Sequence, residues 1–272
     1  MKRSLSFSDL WTFLECPKEY LARLQRKKQK RTKEQVVGNA THAIAEQHGE
    51  QTEEVRTLIA EELAQLPEAE REETLVRIQQ VAANAQAMAE LDGEDDDDTD
   101  RESVYKWVFE AIGWTLCAKP DKVDFVTEDG RQIMEITDYK SGSSHEFHEA
   151  DGSISYRPKR KHKDQIYFFA MVVSLALGWT GPIRLRIRYW GNKAECKPMY
   201  YSHRRTQEQL NEVAGYISRI ESFVSAQEFP TRPGFWCKHC PLEATCEANQ
   251  LYQGSPVAPL HQIQHTASAV SA

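Results

Sequence analysis

Asp138-Tyr139-Lys140 places an acid and an amine two residues apart on a run, Gln132 to Tyr139, that reads as a β-strand. Strand side chains alternate between faces, so Asp138 and Lys140 point the same way. A second β-rich run, Val123 to Thr127, comes before it across Glu128-Asp129-Gly130-Arg131, and Asp-Gly between such runs signals a two-residue hairpin loop. With Asp129 and Gly130 in the loop, Glu128 faces Arg131, and counting outward brings Asp121 opposite Asp138. Two carboxylates and an ammonium then share one patch of sheet. Such a set can hold a divalent cation beside a group that polarises water or stabilises growing charge, and phosphodiester hydrolysis uses this chemistry.

His42 and Glu46 lie four residues apart, on one face of a helix predicted over Lys33 to His48. Hard oxygen donors with one imidazole suit Mg²⁺ or Mn²⁺, and the nitrogen tilts the preference toward Mn²⁺. No serine or cysteine triad is evident. Near the carboxyl end, Cys237-Lys238-His239-Cys240 and Cys246 form a C-x2-C-x5-C group that needs a fourth ligand to close a tetrahedral or cubane site. Zinc sites commonly pair two C-x2-C knuckles and only one is present, but His239 could also ligate, so zinc and iron–sulfur both stay open. Cys117 and Cys196 fall on strands and read as ordinary thiols.

These groups need a scaffold. The predicted elements begin with a helix capped by Ser8 and running through Glu15, then a short helix from Lys18 to about Gln25. Helices follow over Lys33 to His48, Glu53 to Leu66 and Pro67 to about Leu91, the last with Leu75, Ile78, Val81 and Met88 spaced for one face. Four strands, Val104 to Ala111, Trp114 to Ala118, Val123 to Thr127 and Gln132 to Tyr139, suggest an antiparallel meander. His145 to Lys163 reads as loop and Asp164 to Leu177 as helix. Ile183 to Trp190 and Cys196 to Tyr201 read as strands joined at Gly191-Asn192-Lys193, and Thr206 to Ser225 as the last helix. This order predicts an α/β protein, a mixed β-sheet core flanked by helices. Expected boundaries are an N-terminal helical region at 1–103, a core at 104–226, a cysteine segment at 227–250 and a disordered tail at 251–272.

The chain has 272 residues and net charge −7, which looks unfavourable for a nucleic-acid binder. Asp92 to Glu102 alone carries a net −7, so the remainder is near neutral. Basic clusters stand out: Arg23, Arg26, Lys27, Lys28, Lys30, Arg31 and Lys33, then Arg157, Lys159, Arg160, Lys161 and Lys163. Local positive potential attracts phosphate, although such runs can equally be solvated faces. The acidic loop is either a contact segment or a DNA mimic that gates the cleft. Arg184, Arg186 and Arg188 alternate on one strand face, as a phosphate track or as a face paired with acids. The longest apolar run, Ile166 to Trp179, is too short to span a bilayer. Met1-Lys2-Arg3-Ser4 leads into no apolar signal core, which predicts a cytoplasmic protein whose cysteines are thiols or metal ligands.

Six pieces occur in a telling order: Phe13-Leu14-Glu15-Cys16-Pro17-Lys18-Glu19-Tyr20, the His42 helix, Asp121, Asp138-Tyr139-Lys140, Gln165 to Phe169, and the terminal cysteine triplet. Together, from about Ser6 to Cys246, they resemble the PD-(D/E)XK nuclease superfamily, in particular its RecB-type and CRISPR-associated RecB-like exonucleases with an iron–sulfur cluster. The resemblance implies a restriction-endonuclease-like core with a C-terminal Fe–S segment. It implies that His42, Asp121, Asp138 and the main-chain carbonyl of Tyr139 hold Mn²⁺ or Mg²⁺, and that Lys140 acts on the attacking water and the phosphate charge. Gln165 would face the active site, and Phe169 stands where the family usually has tyrosine. Ala118 replaces the family's glycine three residues before the first aspartate, a small change. The resemblance also implies that Cys16 joins Cys237, Cys240 and Cys246 around one [4Fe-4S] cluster, a staple around the core that helps to shape the DNA entry. The expected partner is DNA, single-stranded or with free ends, and the expected activity a metal-dependent exonuclease in repair, recombination, phage replication or CRISPR adaptation. The alternatives are an endonuclease that trims DNA within a complex and an inactive nuclease fold that binds nucleic acid or protein.

Overall fold

The computed structural model describes residues 3–25, 31–46, 52–92, 100–101 and 103–248. Arg26 to Lys30, Gly93 to Thr99 and the expected tail at 251–272 lie outside the described residues, as does the side chain of Glu46. In chain order the elements are β1 (Ser4–Ser6), α1 (Phe7–Glu15), α2 (Pro17–Leu24), α3 (Lys33–Glu46), α4 (Glu53–Ala64), α5 (Glu68–Asp92), β2 (Asp100–Arg101), β3 (Tyr105–Phe109), a 3-10 turn (Glu110–Ile112) and β4 (Trp114–Ala118). They continue with β5 (Lys122–Glu128), β6 (Arg131–Lys140), β7 (His145–His148), β8 (Ile154–Arg157), α6 (Arg160–Leu177), β9 (Ile183–Tyr189), β10 (Ala194–Glu195), β11 (Met199–Tyr201), α7 (His203–Ala226) and a 3-10 helix (Phe235–His239). The chain divides into two units, Met1–Trp11 with Lys30–Glu228, and Thr12–Gln29 with Phe229–Ala272.

In the larger unit, β6 is the strand on which the rest is built. It pairs antiparallel with β5 on one side and parallel with β9 on the other, and Ile133 to Asp138 are all buried. A strand covered on both faces reads as a continuous apolar run rather than an alternation, which is what Ile133-Met134 and Ile136 supply. The full sheet runs β10-β9-β6-β5-β2, with β11 also on β9. Helix α6 packs against β6 and β9 and also against β3 and β4. Sandwiched in this way it is buried all round, and every residue from Ile166 to Ser174 is inaccessible. Gly178, in the left-handed region at φ 62°, ends it.

Four expectations change. The predicted four-stranded meander is split: β3 and β4 form a separate sheet with β1, in the order β1-β4-β3, while β5 and β6 join β9. Lys119-Pro120 falls at the break, and proline offers no N–H to carry pairing onward. The helix cap is Ser6 rather than Ser8: Asp9 N–H donates to Ser6 Oγ at 3.2 Å and Ser6 Oγ donates to Asp9 at 2.7 Å. The segment read as loop contains the hairpin β7–β8 and the first turn of α6, which starts at Arg160 rather than Asp164. Of the predicted strand over Cys196 to Tyr201 only Met199–Tyr201 (β11) pairs with β9; a two-residue strand, β10 (Ala194–Glu195), comes before it, and Cys196 to Pro198 is neither.

A bundle of α3, α4 and α5 packs around Val36, Val37, Ala40, Ile44, Ile59 and Ile78, and Trp190 belongs to the same cluster. Ile78, Val81 and Met88 face inward as predicted, whereas Leu75 faces solvent and Thr74 takes the inner position. Among the described residues no helix is long and apolar enough to cross a membrane.

The register that places the candidate site is the predicted one: Glu128 pairs with Arg131 and Lys122 with Thr137, so Asp121 and Asp138 come next. Asp129 (φ 50°) and Gly130 (φ 73°) both occupy the left-handed region, as a type I′ turn requires. A Cβ on Gly130 would meet nothing within 4 Å, so its glycine is needed for conformation and not for space. Gly130→Ala should therefore lower unfolding stability by about 1 kcal/mol, the cost of a left-handed β-carbon, while Gly130→Asn should lose less. Denaturant midpoints of the two variants check this.

Candidate active site

The carboxyl ends of β6 and β9, the loop before β5, the middle of α3 and the first turns of α6 converge in the larger unit. Asp138 lies on the α6-facing side of β6 and is 2 % exposed. Lys140, one pleat further, sets its Nζ 2.6 Å from Asp138 Oδ2. The same ammonium donates to Gln165 Oε1 at 3.0 Å, so α6 and β6 fix the lysine between them. Asp138 Oδ2 nevertheless accepts no aligned hydrogen bond, which leaves an orphaned oxygen in a buried place. Burial raises the Asp138 carboxyl to about 6, with Lys140 opposing the shift and Asp121 adding to it.

Asp121 sits just before β5. Its Oδ2 accepts the main-chain N–H of Tyr139 at 2.5 Å, and its Oδ1 lies 3.6 Å from His42 Nδ1. Asp138, Lys140 and Gln165 thus form one contact group and Asp121 with His42 another, and the Tyr139 N–H ties the second to β6. A buried oxygen that touches the Lys140 ammonium but accepts no aligned hydrogen bond, two neighbouring carboxylates and an imidazole make a hard donor set suited to a divalent cation. Among the described residues, no three His, Cys, Asp or Glu side chains stand around a common point at ion-holding separation. In this state, Lys140 occupies the neighbourhood of the orphaned oxygen.

Four further residues border the site and were not singled out from sequence. Trp190 follows β9, and its ring lies 5.0 Å from His42 and 5.1 Å from Tyr139, nearly parallel to the latter. Its carbonyl accepts Asn84 Nδ2 of α5 at 2.8 Å, and its N–H donates to Lys140 O at 2.8 Å. One buried tryptophan therefore touches His42, β6 and the helical bundle. His162 and Tyr189 form the other pair, with Nδ1 2.7 Å from the phenol oxygen. Tyr189 is in register with Lys140, and its oxygen accepts Lys159 N–H at 3.1 Å. Burial and the ammonium of Lys140 push His162 down to about 3, and burial raises Tyr189 to about 12, so both are neutral. The phenol then donates to Nδ1, which assigns the imidazole proton to Nε2. The three-residue step from His162 to Gln165 would have placed both on one face, had the helix been started four residues earlier.

The arginine alternation is an ion-pair ladder. Arg184 pairs with Glu128 and Glu135, Arg186 with Glu135 and Glu195, and Arg188 with Glu195. By register these arginines lie opposite Glu135, Thr137 and Tyr139, on the sheet face away from Asp138 and Lys140.

In the smaller unit, Cys16, Cys237, Cys240 and Cys246 line one pocket, floored in part by Trp236 and Leu242. Cys16 and residues near Cys237 lie over two hundred positions apart, yet Arg232 N–H points at Cys16 Sγ at 3.5 Å. Gly234 N–H and Leu242 N–H point at Cys237 Sγ and Cys240 Sγ, both at 3.4 Å. Burial, with Glu19, Cys16 and Cys237 as neighbours and the Leu242 N–H opposing, raises the Cys240 thiol to about 11. Such main-chain donors favour sulfur bearing negative charge, as in a metal thiolate. Cys117 and Cys196 lie elsewhere, on β4 and after β10.

The chain was compared with known proteins. No curated protein matches. A crystal structure from Eubacterium rectale, called a putative exonuclease, superposes with a TM-score of 0.53 at 13 % identity, covering 98 % of this chain and 94 % of that one. The structure of the protein SSO0001 reaches only 0.40 at 12 % identity, over 92 % of this chain and 88 % of that one, and carries no weight here. The first of these supports the fold alone, a mixed α/β core of the restriction-endonuclease-like kind. The family model of the PD-(D/E)XK nuclease superfamily matches residues 4–247, and with the sheet-borne Asp138 and Lys140 it establishes that the chain belongs to that superfamily.

Proposed function

We propose that this nuclease hydrolyses DNA phosphodiester bonds with the help of a divalent cation, acting as an exonuclease on single strands or frayed ends. The observation that carries the reading is the buried, orphaned Asp138 oxygen flanked by Lys140, Asp121 and His42. Superfamily membership supports DNA as substrate, and the name of the Eubacterium rectale neighbour favours attack at ends. His42, Asp121, Asp138 and the Tyr139 carbonyl would hold Mn²⁺ or Mg²⁺. Bound there, the cation supplies an acidified water and neutralises phosphate charge. Lys140 releases its contact with Asp138, orients the water and stabilises the oxyanion growing on phosphorus. Gln165 holds the lysine at that angle through its amide oxygen. Expressed in residues, the cut is made by the core at 104–226, with His42 supplied by the helical region before it.

Cys16, Cys237, Cys240 and Cys246 would hold a [4Fe-4S] cluster, the choice favoured over zinc by the family resemblance and the single C-x2-C pair. The cluster would cross-link the two segments of the smaller unit and has no part in the hydrolytic step.

Asp138→Ala and Lys140→Ala should each abolish Mn²⁺-dependent degradation of labelled single-stranded DNA, a loss of at least ~1000-fold, with unchanged circular dichroism. Parent-like cutting by both variants would show the site to be misassigned. End-labelled linear and circular strands, run side by side, report whether a free end is required. Trp190→Leu should raise the Mn²⁺ concentration for half-maximal activity about tenfold, as expected when the support of a ligating histidine is lost. It should also diminish the Mn²⁺-induced rise in melting temperature, whereas Trp190→Phe should keep most of both. Anaerobically purified protein should carry iron and acid-labile sulfide with broad visible absorption, lost together in Cys240→Ser. Stoichiometric zinc without sulfide would overturn the cluster assignment.

A further inference from the structure

The hairpin β7–β8 is a sheet to itself. It pairs with nothing beyond its own two strands among the described residues. An isolated two-stranded hairpin is marginal in water, and this one keeps a large apolar surface outside: Phe147 is 38 % exposed and Ile154 50 %. Its position in the chain is equally particular. It leaves β6 five residues after Lys140 and returns two residues before Lys159, whose N–H is bound to Tyr189.

Its base is clamped to the site. Gly191 N–H donates to Gly142 O at 3.0 Å, and Asn192 exchanges hydrogen bonds with Ser144 through both amide atoms. A Cβ on Gly191 would fall 2.5 Å from Gly142 O, so the two backbones can meet only with glycine there. Lys159 Nζ reaches to 4.0 Å from the Cβ position of Gly142.

The two faces differ. Register places His145 opposite Arg157 and Phe147 opposite Ser155, so these four share one face. On it the Arg157 guanidinium lies 4.0 Å from the Phe147 ring centre. Glu146, Tyr156, His148 and Ile154 form the other face. The remaining acids are engaged in the turn: Glu149 accepts the Ser155 hydroxyl, and Asp151 accepts Ser153 Oγ at 2.6 Å and Ser153 N–H at 2.9 Å. Past Arg157 the chain adds Lys159, Arg160, Lys161 and Lys163, and Lys161 Nζ lies 5.5 Å from the Trp11 ring.

We propose that the His145–Phe147–Arg157 face of this hairpin, with Lys159 at its base, is a grip for one unpaired DNA strand and leads its backbone to Asp138 and Lys140. The proposal rests on the nuclease reading and adds to it the segment that binds the strand. A base stacks on the Phe147–Arg157 pair, and the neighbouring phosphates lie against Arg157 and Lys159. A duplex keeps its base faces covered by neighbouring bases, whereas a single strand presents base face and phosphate side by side, matching an aromatic ring flanked by cations. The charge complementarity is local: Arg157, Lys159 and the turn that follows carry cations, Glu149 is held by the Ser155 hydroxyl on the same face, and Glu146 is on the reverse side.

The test uses the full-length protein with a fluorescent 20-mer of oligothymidylate, in Ca²⁺ to hold off cleavage. Phe147→Ala and Arg157→Ala should each weaken binding about tenfold, and Arg157→Ala should lower the slope of log affinity against log salt by about one. Phe147→Tyr, which retains a stacking ring, should restore affinity, and Ile154→Ala on the reverse face should bind as the parent does. Hydrolysis of bis(p-nitrophenyl) phosphate in Mn²⁺ separates the two readings, because this small diester does not span the hairpin. A parent that hydrolyses neither diester nor oligonucleotide overturns the nuclease reading itself. A parent that hydrolyses both, with Phe147→Ala and Arg157→Ala binding oligothymidylate as tightly as the parent or Ile154→Ala weakening it equally, overturns the grip and leaves the nuclease standing.

Discussion

A carboxylate held almost entirely away from water, with an ammonium pressed against it, governs this molecule. Asp138 is buried because β6 is the central strand, covered by α6 on one face and flanked by β5 and β9. An ionised group in such a place is costly unless charge or hydrogen bonds compensate it, and Lys140 compensates only in part. Local instability of this kind is common where chemistry is done and is tolerated because the surrounding core is extensive.

The core that tolerates it also delivers the remaining groups. Helix α6 continues from the buried stretch Ile166 to Ser174 back to Gln165 and His162, so the positions of those two polar residues are set by packing that begins within one turn of them. Trp190 does the same for the other side. It belongs to the apolar cluster of the α3–α5 bundle and also touches His42, Tyr139 and, through its N–H, Lys140. Rigid elements hold the reacting groups, which is the condition for geometry to be worth anything in catalysis.

The parts of this site that could be read from sequence are those governed by local rules. Alternation along β6 placed Asp138 with Lys140, and the Asp129-Gly130 turn fixed the register that set Asp121 beside them. Cys16 was paired with its remote partners through family resemblance, and the four cysteines line one pocket. What escaped were decisions made by tertiary packing. Val104 to Ala118 has ordinary strand character, and nothing local announces that Pro120 hands the chain from one sheet to another. The polar stretch from His145 to Lys163 lacks the apolar alternation of a buried strand because its hairpin is exposed. The arginines of β9 carried the right period, but only coordinates could show that Glu128, Glu135 and Glu195 claim them. Trp190 gave no signal, since a terminal aromatic on a strand usually just fills space.

The self-contained hydrogen bonding of β7–β8 makes it a separable arm. Its ladder shares no rung with the central sheet, and glycines and an Asn–Ser clasp tie it down at the root, so changes in its outer half break no pairing of β6, the strand of Asp138 and Lys140. Lengthening, shortening or recharging that arm would thus alter what it touches without moving Asp138 or Lys140.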